Sequence, residues 1–453
     1  MNKVPFERPV IKKLNTGIPS KFGLQVRHEP VTMIDGVPVV SLLEKYGSPL
    51  FIYSEKSIRN TYKEAWRAFS SRYPKVLFSW SYKTNYLNAI CNIFHQEGSW
   101  AEVVSGFEYQ KALANGVKGD QIIFNGPQKT REDLQLAVSN ESLIHIDHFD
   151  ELYELIEIAN ESVNKPKVAI RVNMDIGIYP AWDRFGFNYE NGEAWDALNR
   201  IMHCDRLDLV GLHTHIGTYI MSAEPYKIAA GKMADLALGL GRKYQHHISY
   251  IDMGGGFASK NTLKGGYYPG TDTTPSFEDY AEAIISTFMK ADFHPDHLPL
   301  LILETGRALI DDAGYLAGTV IANKRLADGQ RASILDAGVN LLFTSFWYDH
   351  DIRPAKPVSE QTEETALFGP LCMNIDVIRK NTLFPLLKKG DPFVIQRVGA
   401  YNNTQWLQFI TLRPNVVLID TNSDVHVIRR AETLDSLNQF EQTPGHLQSI
   451  PLP

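Results

Sequence analysis

Cysteine and long apolar runs are scarce in this sequence. Its 453 residues include 3 cysteines, Cys91, Cys204 and Cys372, which form neither a close-spaced pair nor a metal-binding pattern. That usage is typical of a reducing compartment and excludes a disulfide-stapled secreted domain. The longest apolar stretches, such as the one within residues 298–303, have strand length and are far shorter than a membrane helix. We therefore expect a soluble, cytoplasmic protein.

Neither sign of charge dominates the chain, and its first residues do not resemble a secretory leader. The sequence has 45 Lys and Arg against 52 Asp and Glu, for a net charge of −7. This balance gives no global electrostatic reason to bind nucleic acid or an anionic membrane. Residues 1–14 carry several basic side chains but are broken by Pro5 and Pro9 and precede no apolar core. A small molecule is the expected partner.

The middle of the chain alternates short apolar runs with amphipathic segments of helical length. Eight such runs occupy residues 76–83, 100–105, 121–125, 142–147, 167–173, 207–217, 247–253 and 298–304. Alternation of this kind predicts βα units with parallel strands, and eight units in about 230 residues is the size of a (β/α)₈ TIM barrel. A doubly wound sheet is the alternative, because counting strands does not prove closure.

Beyond about residue 316 the sequence changes to β-branched runs separated by turns. These runs are residues 318–321, 331–335, 392–398, 406–412, 416–421 and 425–428. Near the start, residues 31–34 and 37–40 flank Asp35-Gly36, a strong hairpin signal. We therefore predict a mainly antiparallel β domain built from residues 1–40 and 317–453, which encloses a barrel of residues 41–316.

Polar residues end four of the predicted barrel strands. In run order they are Ser81-Tyr82-Lys83-Thr84-Asn85, His213-Thr214-His215-Ile216-Gly217-Thr218, Asp252-Met253-Gly254-Gly255-Gly256-Phe257 and Glu304-Thr305-Gly306-Arg307. Function in a parallel barrel lies at the carboxyl ends of the strands. These four segments are therefore the candidate site.

Each segment has a functional and a structural interpretation. Lys83, partly desolvated at a strand end, would have a lowered pKa and an amine free to attack a carbonyl, or it is a lysine at the barrel rim. The glycines at 254–256 offer backbone N–H groups to a phosphate, or form a flexible turn. Glu304 needs a cationic partner, which is either a protonated ring nitrogen or Arg307.

His213 and His215 lie two apart on a strand and so face the same side. They would fit a metal-dependent barrel hydrolase, although the fourth and fifth strand ends offer no obvious third ligand. Taken together, an aldehyde for Lys83, an aromatic face for a histidine, a phosphate for the glycines and a ring nitrogen for Glu304 favour one ligand, pyridoxal 5′-phosphate.

Several motifs in order make the chain resemble a known family. They are Tyr46-Gly47-Ser48-Pro49-Leu50, Tyr82-Lys83-Thr84-Asn85, Ser105-Gly106-Phe107-Glu108, His213-Thr214-His215-Ile216-Gly217, Gly254-Gly255-Gly256, Glu304-Thr305-Gly306-Arg307, Gly369-Pro370-Leu371-Cys372-Met373-Asn374-Ile375-Asp376 and Gly399-Ala400-Tyr401. Over residues 40–411 the sequence resembles the fold-type III pyridoxal-phosphate decarboxylases, above all the diaminopimelate decarboxylase-like group, with ornithine decarboxylases more distant. The resemblance implies an alanine racemase-like barrel.

The resemblance also implies roles for individual residues. Lys83 would hold the cofactor as a Schiff base, His215 would stack on its ring, and Glu304 would keep its nitrogen protonated. The residues expected around the phosphate are Thr218, Gly254, Gly255, Gly256, Gly306, Arg307 and Tyr401. Cys372 would come from the other subunit of a head-to-tail homodimer and protonate the substrate carbon.

Two departures from that family pattern concern the substrate. Met373 follows the motif cysteine where relatives have an acidic residue, and Thr344-Ser345 replace an Arg-Pro pair that helps to bind a distal carboxylate, followed by Phe346-Trp347-Tyr348. Residues elsewhere, such as Arg353 or His350, are candidates to restore a distal contact. We expect an α-decarboxylase acting on a specialised siderophore or natural-product amino acid, with diaminopimelate and ornithine as poor substrates. Diaminopimelate decarboxylation in lysine biosynthesis and amino-acid racemisation are the alternatives.

Overall fold

The computed structural model describes residues 29–358 and 361–447. Expectations for residues 1–28, including the expectation that residues 1–14 are not a secretory leader, lie outside the described residues. Within the described part, none of the helices has both the length and the apolar character needed to cross a membrane.

The described chain has twenty strands and twelve α-helices. The strands are β1 (Met33–Ile34), β2 (Val37–Pro38), β3 (Leu50–Ser54), β4 (Val76–Ser81), β5 (Trp100–Val103), β6 (Ile122–Phe124), β7 (Leu143–Ile146), β8 (Lys167–Asn173), β9 (Phe187–Asn188), β10 (Asp208–Thr214), β11 (Tyr250–Asp252), β12 (Leu300–Leu303), β13 (Gly314–Arg325), β14 (Arg331–Leu335), β15 (Ile352–Pro354), β16 (Thr362–Phe368), β17 (Val377–Pro385), β18 (Pro392–Gln396), β19 (Val416–Ile419) and β20 (Val425–Arg429). The helices are α1 (Val39–Tyr46), α2 (Glu55–Ser70), α3 (Asn88–Gln96), α4 (Gly106–Ala114), α5 (Arg131–Ser139), α6 (Phe149–Glu161), α7 (Glu193–Cys204), α8 (Glu224–Tyr244), α9 (Gly270–Thr273), α10 (Phe277–Lys290), α11 (Arg307–Ile310) and α12 (Leu434–Asn438).

Eight parallel strands close into a barrel. They pair in the order β4, β5, β6, β7, β8, β10, β11 and β12, and β12 pairs with β4. All eight predicted runs contain these strands. The TIM barrel is confirmed and the doubly wound alternative is wrong, because both edges of the sheet are paired with each other.

The barrel helices begin where the sequence supplies a cap and bury one stripe. Ser276 and Asp279 form a capping box at the start of α10, which satisfies backbone N–H groups that a helix start leaves unpaired. In α6, Leu152, Leu155 and Ile158 recur at helical spacing and are buried. Such apolar stripes pack against the outer face of the barrel. The carboxyl ends of the strands remain free to form the site.

The second domain is a mainly antiparallel sheet of strands from both ends of the chain. Its order is β17, β16, β14, β13, β3, β19 and β20, with β18 on β13 and β15 on β18. Strand β3 lies within residues 41–316, the range predicted for the barrel, yet it pairs with β13 and β19. The β domain is therefore built around a strand that precedes the barrel.

Two local predictions need correction. Residues 406–412, predicted as a strand, form a loop in which Ile410 has a φ of 48°, which breaks extended backbone. The Asp35-Gly36 hairpin is present, with φ of 46° and 84° as a two-residue turn requires. Its second strand is only Val37–Pro38, because α1 begins at Val39.

Candidate functional site

A cavity of about 840 Å³ opens at the carboxyl ends of the barrel strands. Lys83, His215 and Glu304 line it from the barrel, and Trp347 and Tyr401 line it from the β domain. A narrow extension reaches Gly256 and Gly306. The structure thus brings the predicted strand ends together in one cavity between the two domains.

Lys83 lies against a buried carboxylate. It follows β4 in a single 3₁₀ turn, Tyr82–Thr84, and parallel pairing of Ser81 with Glu102 on β5 places that carboxylate beside it. Lys83 Nζ donates to Glu102 Oε2 at 2.6 Å, and Glu102 is fully buried. Asn125 Nδ2 donates to Glu102 Oε1 at 3.0 Å and to Glu304 Oε1 at 2.5 Å. One amide therefore joins the two carboxylates.

The charge balance at Lys83 differs from the sequence expectation. Burial alone would lower the pKa of Lys83, but the carboxylates of Glu102 and Glu304 outweigh burial and raise it. The expected lowering of the Lys83 pKa is therefore wrong. The reason is Glu102, a charged residue inside an apolar run.

Glu304 belongs to a cluster of four buried polar side chains in the barrel interior. Within the described residues, ligand atoms of His145, His213, Asp252 and Glu304 lie within 4.8 Å of one another. His213 Nε2 is 3.3 Å from Glu304 Oε2, and the His145 and His213 rings are 4.6 Å apart. The expectation concerned only the ends of the fourth and fifth strands, and His145 was not considered because it lies within β7.

Titration within this group follows from burial. Burial, followed by the positive charge of Arg171, holds the pKa of His213 well below its usual range, so its ring is neutral. Burial and the neighbouring Glu304 carboxylate raise the pKa of Asp252 well above its usual range. Glu304 therefore lies next to a neutral His213 and to an Asp252 that resists ionisation.

His213 and His215 occupy different environments despite their shared strand face. Both line the cavity, but His215 lies just beyond β10 and is absent from the buried four-residue group. Its Nδ1 accepts from Gly255 N at 3.0 Å, and its ring centroid is 5.4 Å from that of Trp182. This arrangement fits a ring that faces a flat ligand better than a two-histidine metal site.

The glycines form a cradle with no room for side chains. A Cβ on Gly255 would lie 2.5 Å from Glu304 O, one on Gly256 2.3 Å from Gly217 O, and one on Gly306 2.0 Å from Thr84 Oγ1. Gly254 and Gly256 also have φ of 66° and 93°, which favour glycine. Close packing therefore requires glycine at these positions, and Gly256 and Gly306 border the narrow extension, where a phosphate would lie.

Arg307 lies at this glycine end and not on Glu304. No ion pair joins Arg307 to Glu304 among the described residues, so the ion-pair interpretation of Glu304 is wrong. The Arg307 guanidinium donates to Tyr348 Oη and lies 4.5 Å from the Tyr401 ring centroid. Thr218 lines the same narrow extension. A phosphate-binding end, a cationic lysine and a buried carboxylate in one cavity fit pyridoxal 5′-phosphate.

Asp311, which sequence analysis missed, joins three segments around that end. Its carboxylate accepts from Ser259 Oγ at 2.5 Å, Asn261 Nδ2 at 3.2 Å and Ala400 N at 3.0 Å. Burial, partly opposed by the Arg307 guanidinium, raises the pKa of Asp311 to about 6. Asp311 therefore holds the backbone next to Tyr401 in place.

We expect Asp311→Asn to remove a pH dependence of stability. Between pH values of about 4 and 6 the folded protein holds a proton that unfolded Asp311 has lost, so its contribution to stability falls as the pH rises. The free energy of unfolding of wild type relative to Asp311→Asn should fall by roughly 3 kcal/mol over that range. Urea unfolding at a series of pH values measures this, with the exposed Asp120→Asn as control. Parallel curves for wild type and Asp311→Asn would contradict it.

Residues expected at the distal end are divided between the cavity and other places. Phe346, Trp347 and Tyr348 line the cavity. His350 is buried and hydrogen bonded to Thr344 Oγ1 at 2.8 Å, whereas Arg353 pairs with Asp351. Neither lines the cavity, so neither restores a distal contact within this chain.

Cys372 lies outside the cavity of its own chain. It is exposed, and neither it nor Met373 is among the cavity residues. A role in catalysis requires that a second subunit bring its Cys372 to this cavity. The homodimer therefore stays a prediction.

Comparison with known proteins agrees with the resemblance seen in the motifs. Residues 59–311 match the family model described as "Pyridoxal-dependent decarboxylase, pyridoxal binding domain". The diaminopimelate decarboxylase of Methanocaldococcus jannaschii is 30% identical over 430 residues, which cover 91% of this chain and 95% of that protein. That of Methanothermobacter thermautotrophicus is 28% identical over 435 residues, covering 94% and 98%.

Solved structures extend the likeness to the whole fold. The crystal structure of the M. jannaschii enzyme with L-lysine has a TM-score of 0.84 and 29% identity, and covers 93% of this chain and 98% of that one. The Helicobacter pylori enzyme with L-lysine has a TM-score of 0.79 and 25% identity, and covers 88% and 98%. The predicted barrel with a separate β domain is thereby confirmed.

Proposed function

Because the chain belongs to the pyridoxal-dependent decarboxylases, we propose that this pyridoxal-phosphate-dependent enzyme acts on diaminopimelate. Curated relatives that carry that name match about nine-tenths of this chain. They favour diaminopimelate over the specialised substrate expected from Met373 and Thr344-Ser345. The single structural observation that carries the proposal is the cavity in which Lys83, Glu304 and the glycine cradle meet.

Different residues of the cavity would hold different parts of the cofactor. When bound, pyridoxal 5′-phosphate would supply an electron-accepting ring for the electron pair left on the substrate carbon when CO₂ departs. Lys83 would hold its aldehyde end, Glu304 its ring nitrogen, and the cradle with Arg307 its phosphate. His215 has a neutral ring, since burial lowers its pKa well below the usual range. It is therefore suited to stack on a ring without adding charge.

The chain's own groups prepare the site for loss of CO₂. Asn125 fixes Glu304 by its amide, so the carboxylate keeps one orientation. Glu102 accepts a hydrogen bond from the Lys83 amine at 2.6 Å, so it fixes the position of that amine and can take up a proton from it. The aromatic residues Trp182, Phe185 and Trp347 limit water at the cavity wall.

Return of a proton to the substrate carbon is assigned to Cys372 of a second subunit. Exposure of this thiol and its place outside the cavity of its own chain support a head-to-tail homodimer with composite sites. Racemisation uses the same lysine and ring chemistry, and the motif around Cys372 favours decarboxylation instead.

Substrate kinetics test the proposal. We expect meso-diaminopimelate to release CO₂ with a kcat/KM of about 10⁴ M⁻¹s⁻¹ or more, as in a dedicated enzyme. Ornithine, lysine and a large aromatic amino acid should be at least about tenfold poorer. CO₂ release over this panel, with chiral analysis of recovered substrate, gives the answer. A higher kcat/KM for the aromatic amino acid would support the specialised substrate, and a changed configuration of the recovered substrate without CO₂ release would support a racemase.

A further inference from the structure

Lys264 sits at the mouth of the cavity, where the two domains meet. It follows a β-bridge between Leu263 and Tyr348, and its backbone N donates to Trp347 O at 2.7 Å. Its side chain lines the cavity, and its Nζ donates to Ser345 O at 2.8 Å. The ammonium group is therefore fixed on the β-domain loop that forms one wall.

The other three cations of the cavity lie near carboxylates or at the glycine end, where the cofactor phosphate is expected. Lys83 pairs with Glu102 at 2.6 Å, and Arg171 lies 3.6 Å from Asp147. Arg307 lies at the glycine cradle, close to the buried Asp311.

Lys264 has a neutral partner and, unlike Arg307, lies away from the glycine end of the cavity. Among the described residues it forms no ion pair, and its side-chain hydrogen bond goes to a backbone carbonyl. An ammonium carries three N–H donors, so two stay available for a ligand. The wall residues 344–348 bring no charge of their own.

The surroundings of Lys264 favour an ionised acceptor. Trp347 and Phe346 are 38% and 37% exposed, so the mouth combines apolar surface with one positive charge. Next to apolar surface a charge pair interacts more strongly than in bulk water. A carboxylate matches the charge and accepts both remaining donors.

We propose that Lys264 binds the distal carboxylate of the substrate and thereby selects a dicarboxylic amino acid. The inference rests on the proposed function, because diaminopimelate carries such a carboxylate and ornithine does not. L-lysine keeps the distal carboxylate after the other has left, whereas cadaverine has lost both. The pair L-lysine and cadaverine therefore isolates this one contact.

Lys264→Met tests the contact, since methionine keeps much of the apolar stem and removes the charge. In the holoenzyme we expect the Kd for L-lysine, followed by cofactor absorbance, to rise about tenfold to hundredfold. The Kd for cadaverine should change less than about twofold. With diaminopimelate, KM should rise similarly while kcat stays within about threefold. Lys264→Arg should restore most of the affinity for L-lysine.

Lys260→Met is the matched control, because Lys260 lies on the same loop, pairs with Asp312 at 3.3 Å and does not line the cavity. It should leave both Kd values unchanged. An unchanged Kd for L-lysine in Lys264→Met would overturn the inference, as would equal losses for L-lysine and cadaverine. Wild-type protein that binds L-lysine through Lys264 but does not decarboxylate diaminopimelate would refute the proposed function alone.

Discussion

Lys83→Ala is expected to abolish turnover, with a loss of at least about a thousandfold in kcat. The substitution removes the amine that lies at the end of β4, and no other lysine among the cavity residues is placed beside Glu102 and Glu304. No replacement nucleophile is therefore available for the aldehyde of the cofactor. Borohydride should no longer fix the cofactor to the chain, which mass spectrometry of the reduced protein measures.

The same substitution leaves a buried carboxylate without its cation. Glu102 is fully buried and would keep only the Asn125 amide. Removing one partner of a buried pair is costly, so some loss of stability is expected as well. Lys118→Ala, at an exposed lysine outside the cavity, is the control for activity. Retention of both the fixed cofactor and the activity in Lys83→Ala would show that another residue holds the cofactor.

Glu304→Gln is expected to retain the cofactor and slow turnover by about a hundredfold or more. Glutamine keeps the shape and can still accept from Asn125, but it carries no negative charge to hold a proton on the ring nitrogen. The ring then accepts electrons poorly, and the loss should appear in kcat more than in KM. Steady-state kinetics and cofactor absorbance together measure both effects.

The interior group makes this prediction specific. His213 is neutral and Asp252 is not among the cavity residues, so neither can replace the charge of Glu304. Glu64→Gln, on the exposed face of α2, should leave kcat unchanged. Turnover near the wild-type rate in Glu304→Gln would mean that the charge of this carboxylate is not used.

The barrel was predictable from sequence because its strands are buried on both faces. Such strands form nearly continuous apolar runs, and all eight were located. In contrast, β16 and β17 were missed, since their outward residues are polar and Arg379 and Lys380 lie on a strand at the sheet edge. Charged residues on edge strands discourage pairing with other chains, and they also hide the strand from an apolar count.

The site was predictable at the strand ends and not inside the strands. Lys83, His215 and Glu304 end apolar runs, whereas Glu102 and His145 interrupt them. A charged or polar residue within an apolar run is the signal that would have identified Glu102 and His145. Lys264 carried no local signal, because its place depends on a contact with Tyr348, more than eighty residues away in the chain.

Strand β3 also constrains the order in which the parts of this protein can fold. It lies between β13 and β19, so its second neighbour emerges from the ribosome only after residue 416. Until then one edge of a five-residue strand that is buried in the finished fold stays unpaired. Contacts this distant in sequence slow folding, and open strand edges invite aggregation. The barrel is thus complete in the nascent chain well before β3, which precedes it, can pair along both edges. Protease resistance of β3 in chains stalled before and after β19 would measure the delay.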